Sequence, residues 1–171
     1  MDAKTYKLNC TKLVNTYGDE IDRALRIDVE RSENRAIEMR QVHKQYYDTW
    51  SVPLCGLVQS AAHTASEAGD LRAARQWLKD AREDDADSEK AIWFVVVHAE
   101  AVRAALLRQQ ASDRAALDQA REELRDASGP AREYLLDCAE FFRHQIEALG
   151  DAAQWIKSLH ETEVVHPNAQ G

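Results

Sequence analysis

Apolar side chains recur along this chain at steps of three and four. From Ile21 a stripe runs through Leu25, Val29, Ser32, Ala36, Met39, His43, Tyr46 and Trp50. Its mean step is about 3.6, the α-helical period. The opposite face is almost wholly charged. Asp19/Arg23, Asp22/Arg26 and Arg26/Glu30 stand four apart, where each pair adds only a few tenths of a kcal/mol. The pattern predicts one long amphipathic helix over 19–50, lying on a core or against a second copy of itself. A short leader helix over 3–15 precedes it, with Tyr17-Gly18-Asp19 as the break and Asp19 as an N-cap.

Beyond Trp50 the same reading divides the chain into shorter helices. Ser51-Val-Pro53 is a break, because proline fits a first helical turn but not an interior. A helix then runs to about Ala68, and Gly69-Asp70 reads as a tight turn. Helix 70–82 turns Leu71, Ala74, Trp77, Leu78 and Ala81 inward. The acidic run Glu83 to Glu89 leads into Ala91-Ile-Trp-Phe-Val-Val-Val-His-Ala99, which could pass for a buried strand. Its apolar period continues through Val102, Leu106 and Leu107, a span too long for a typical strand. It is therefore expected to be the central, most buried helix. Ser112-Asp113 reads as a cap, Ser128-Gly129-Pro130 as a turn, and Gly150-Asp151 as a repeat of Gly69-Asp70. Helix 130–149 takes its apolar side from Tyr134, Leu135, Cys138, Phe141, Phe142 and Ile146.

The expected fold is all-α: antiparallel helical hairpins, either a short solenoid or a bundle of six to seven helices. One domain spans 1–171 on length. It comprises a leader and long helix over 1–50, three hairpins over 51–160 joined at Gly69, near Ser112 and at Gly150, and a frayed tail over 161–171.

The stretch from Gly69 to Ala81 returns in looser form from Ala115 to Ala127. Gly69, Ala74, Leu78 and Ala81 align with Ala115, Ala120, Leu124 and Ala127. This spacing resembles the second helix of a tetratricopeptide repeat. There a small residue is followed at +5 by Ala, at +9 by a large apolar residue and at +12 by Ala. In a third unit Gly150 is followed by Trp155 and Leu159, so the small residue at +5 is lost. The period is longer than the family's, and the first helices lack its Trp–Leu–Gly–Tyr pattern. The resemblance implies stacked hairpins and a concave groove that binds peptides or protein partners.

The formal charge of −8 is uneven. Residues 1–50 balance, and residues 111–171 carry six basic against twelve acidic side chains. Binding a phosphate backbone needs clustered cations, so nucleic acid is not an expected partner. No apolar leader and no run long enough to span a membrane are present, which places the chain in the cytoplasm. Cys10, Cys55 and Cys138 are odd in number and far apart, which fits buried thiols better than disulfides.

Enzymatic chemistry finds little footing. Glu163-Val-Val-His166 alone has the Glu-x-x-His spacing of a di-iron bundle, and it sits in the expected tail. Glu140, His144 and Glu147 share a helical face that reads as a solvated ion-pair surface. No Cys pair has zinc spacing, no phosphate loop is present, and His43 and His98 read as packed histidines. No cofactor, metal or catalytic residue is expected.

What remains is a non-enzymatic interaction module, an adaptor, regulator or chaperone-like binder. Its candidate partner-binding residues are His63 on a helix facing the groove, the basic ridge Arg72, Arg75, Lys79 and Arg82, the aromatic end Tyr46 and Trp50, and the acidic Asp118 and Glu122. The partner would be another protein or peptide, with homodimerisation through helix 19–50 as a further expectation. Two alternatives stand beside it: an acidic inhibitor or immunity-type protein that neutralises a basic enzyme by charge complementarity, and a helical-bundle ligand sensor or enzyme using His43 or His98.

Overall fold

The computed structural model describes residues 1–83 and 89–162. Their regular structure is four long helices: α1 (Ala3–Trp50), α2 (Cys55–Glu83), α3 (Glu89–Glu123) and α4 (Pro130–His160). The all-α expectation holds, but six to seven helices become four. The expected break at the acidic run survives between α2 and α3, and two others survive where the backbone itself turns away from the helix. Ser51 ends α1 in the left-handed region (φ 53°), its N–H reaching the Tyr47 carbonyl at 2.8 Å. Gly129, at φ 58° and ψ −142°, takes a conformation closed to other residues and hands the chain to Pro130 at the start of α4. Asp2 caps α1, accepting from the Thr5 N–H at 2.9 Å.

The expected breaks at Gly18, Gly69, Ser112 and Gly150 do not occur. Each lies inside a continuous helix, so the three hairpins become two. One glycine in a helix costs only about 1 kcal/mol, which packing readily offsets. At Gly18 the missing side chain is used: a Cβ there would lie 2.9 Å from Arg82 Cδ. At Gly150 it would lie 2.6 Å from Gln110 Nε2, which donates to the Ile146 carbonyl. Asp113 caps no helix end. It is buried, and it accepts from Arg23 Nη2 at 2.7 Å and from Gln109 Nε2 at 2.7 Å. The segment 91–99 is helix, as its period predicts.

The ion pairs Asp19–Arg82, Asp22–Arg75 and Glu33–Arg72 set α1 and α2 antiparallel. Glu100–His160 and the Gln110–Ile146 hydrogen bond do the same for α3 and α4. Each of α1 and α3 packs on the other three helices, whereas α2 and α4 do not meet. The core gathers Leu13, Ile21 and Leu25 of α1, Leu71 and Leu78 of α2, Phe94, Val102 and Leu106 of α3, and Leu149 and Ile156 of α4. Tyr17 meets Trp155 edge-on at 5.9 Å.

Three inward assignments change. Trp77 of α2 is exposed, while Leu71, Ala74 and Leu78 of the same stripe are buried. Trp93, Val96 and Val97 of α3 are exposed too, so that helix is central by its neighbours but not apolar on a buried face all round. On α4, Tyr134 and Phe141 are exposed, and burial begins only at Leu149. The thiols also divide: Cys10 is buried, Cys138 half-buried and Cys55 exposed.

Candidate functional site

Both hairpins outrun the core. On α1 the last buried residue is Ala36, and on α2 the first is Ala61. Residues 37–60 therefore form an arm, comprising the end of α1, the connection 51–54 and the start of α2. The seam between its two helices is regular. Leu54, Leu57, Ala61, Thr64, Ala68 and Leu71 on α2 alternate steps of three and four, opposite Ala36, Met39, His43 and Tyr46 on α1. A pair of helices buries only one side of such a seam. In the body α3 and α4 supply the rest. In the arm Met39, His43, Leu54 and Leu57 stay half-buried, and Tyr46, Tyr47 and Trp50 are exposed, Trp50 to 69 %. Ile37, Val42, Val52 and Val58 add exposed apolar surface to the same segment. His43 stacks near Tyr47 with ring centroids 6.4 Å apart. The arm carries Glu38, Arg40, Lys44 and Asp48, so it is neutral on a chain of charge −8.

The candidate residues named from sequence do not converge on one surface. Tyr46 and Trp50 lie on the arm. Arg72, Arg75, Lys79 and Arg82 line a groove of about 660 Å³ along the α1–α2 seam with Asp22, Gln76 and Leu78. Their charges are largely turned inward on α1. Arg75 donates to Asp22 through Nε at 2.6 Å and Nη2 at 3.1 Å, Arg82 meets Asp19 at 2.8 Å, and Arg72 pairs with Glu33. Its bond to Asp22 raises the Arg75 pKa further. Of the α1 pairs expected within the helix, Arg26–Glu30 forms at 3.8 Å; Asp19, Asp22 and Arg23 reach instead to α2 and α3. His63 points to solvent and meets Glu67 at 3.4 Å. Asp118 and Glu122 are exposed on α3, Asp118 lying 3.6 Å from Arg121.

Sequence reasoning missed a second concavity, a cleft of about 430 Å³ where α1, α2 and α3 meet. Asp28 lies at its edge, 3 % exposed and held by Arg31 at 2.9 Å and by Arg108. The available signal was a carboxylate set inside the apolar stripe, between Leu25 and Val29.

His98 is half-buried beside Phe94, and among the described residues its buried Nε2 has no hydrogen-bond partner. Burial holds its pKa below the ordinary 6.5, against a smaller upward pull from Asp70. Among the described residues no cluster of His, Cys, Asp and Glu has the makings of a metal site. His144 and Glu140, 3.7 Å apart, form an exposed pair. Glu163 and His166, like the acidic run 84–88 and the tail 163–171, lie outside the described residues. No described helix is long and apolar enough to cross a membrane. Comparison with family models, with curated proteins and with solved structures gives no match.

Proposed function

We propose that this protein is a non-enzymatic interaction module that docks a protein partner on the arm formed by residues 37–60. The observation that carries this reading is the exposure of Tyr46, Tyr47 and Trp50 together at an end of the α1–α2 hairpin that no other described helix covers. Tyr and Trp are the residues most enriched at binding hot spots, since each offers large apolar area with few rotatable bonds. A half-covered two-helix seam accepts an amphipathic helix of a partner as its third member. A second copy of the chain is one such partner, offering the same seam. In that case α1 contributes residues 37–50 only, because its stripe from Ile21 to Ala36 is already filled by the chain's own helices.

A photo-crosslinking amino acid placed at Trp50 tests the reading. It is expected to capture a discrete partner, with capture lost on Tyr46→Ala or Tyr47→Ala and absent from the same probe at Arg121. Equal labelling from both positions would overturn it.

A further inference from the structure

The cleft between α1, α2 and α3 is polarised. Arg31 and Arg35 of α1 stand on one wall, Glu67 and Asp70 of α2 on the other, and Ala101 and Ala104 of α3 lie between Glu100 and Arg108. Two of the three guanidiniums are committed to Asp28. Arg35 has no carboxylate partner among the described residues, and neither it nor Arg31 pairs with Glu67 or Asp70 across the opening. Arg35 thus shares one concavity with Glu67 and Asp70 without pairing with either. Thr64, 7 % exposed, also lines the cleft. Small residues at 101 and 104 keep the floor open.

We infer that this cleft is a binding site for a small zwitterion carrying an ammonium and a carboxylate, a free amino acid or a dipeptide. The carboxylate meets Arg35, the planar donor left over after Asp28 has taken Arg31 and Arg108. The ammonium meets Asp70 and Glu67, and the Thr64 hydroxyl bonds whichever polar group lies deepest. Either end alone would leave one charged wall unanswered, so both are needed for binding. The volume falls within the range of small-molecule sites. The site is separate from the arm and stands whether or not the arm binds a protein.

Thermal unfolding and titration calorimetry at low ionic strength test it, using the free amino acids, a dipeptide panel, and the one-ended controls acetate and methylammonium. At least one zwitterion is expected to raise the melting temperature at millimolar concentration while both controls leave it unchanged. Arg35→Gln and Asp70→Asn, both surface substitutions with circular dichroism confirming the fold, are each expected to weaken binding by about tenfold or more. Arg121→Gln is expected to leave it intact. The panel distinguishes amino acid from dipeptide. No shift from any zwitterion, an equal shift from a one-ended control, or binding unaltered by Arg35→Gln and Asp70→Asn would each overturn the inference.

Discussion

Arg108 of α3 grips both carboxylate oxygens of Asp28 on α1, its Nε lying 2.8 Å from Oδ2 and 3.1 Å from Oδ1. Arg31 donates to the same Oδ1 at 2.9 Å. A buried carboxylate set in an apolar stripe is costly unless its lone pairs are filled, and here two guanidiniums fill them. The interaction fixes how α3 sits on α1, because the same atoms cannot meet after a one-turn slip.

Asp28→Ala is accordingly expected to lower unfolding free energy by about 1–3 kcal/mol, the lower end reflecting half-exposed arginine partners that water can re-solvate. Asp28→Ala combined with Arg108→Met is expected to cost less than the sum of the two. A urea-denaturation double-mutant cycle reads this, and strict additivity would refute the coupling.

Core and arm should respond very unequally to truncation. Phe94→Ala, at a fully buried position touching the centre of the core, is expected to cost about 3–5 kcal/mol. Trp50→Ala removes a larger side chain and is expected to change stability by less than about 0.5 kcal/mol, since most of its surface is already in water. Chemical denaturation of the two variants side by side decides it, with protein concentration varied to detect self-association.

The glycines inside helices form a graded series. A Cβ at Gly69 meets nothing within 4 Å. Gly69→Ala is therefore expected to stabilise by about 0.5–1 kcal/mol, the ordinary helix-propensity gain. Gly150→Ala displaces Gln110 from the Ile146 carbonyl, and Gly18→Ala pushes on Arg82 and its pair with Asp19. Both should forfeit most or all of that gain. Melting temperatures of the three single variants rank them.

That series also shows why the sequence misled at these positions. Gly69-Asp70 and Gly150-Asp151 have the chemistry of a turn, and Ser112-Asp113 that of a cap. Their actual roles depend on partners far away in the chain: Gln110 for Gly150, Arg23 for Asp113. By contrast, Pro53 and Gly129-Pro130 announce chain reversal locally, and the structure reverses beside them. The aromatic end Tyr46 to Trp50 was legible as an apolar stripe running past the helix's last covered turn. The cleft around Arg35, Thr64 and Asp70 was not, because it draws on three helices whose neighbours no spacing rule reveals.

His98 gives a pH signature. Its pKa is lowered in the fold, chiefly by burial, so the unfolded chain binds the extra proton more readily. The sign follows: stability rises with pH across the interval between the depressed native value and the ordinary 6.5, and is lost as pH falls through it. Replacing His98 by Gln is expected to flatten that part of the profile, as read by denaturation midpoints from pH 5 to 7.5. An unchanged slope would assign the effect elsewhere.

The three thiols should react in order of access. Cys55 is exposed and is expected to take up a thiol reagent first, with Cys138 slower. Cys10 is sealed, and burial pushes its pKa up to about 11 despite a hydrogen bond with Tyr6 that pulls the other way. It is expected to react only when the chain unfolds. Mass spectrometry of timed alkylation, with and without denaturant, reads the sequence directly.

The unbroken passage of α1 through Gly18 has a mechanical corollary. At 1.5 Å per residue the helix is about 72 Å long, with no joint along its course. Trp50 at its tip and Asp28 in its buried stripe share one continuous backbone, about 33 Å apart along the axis.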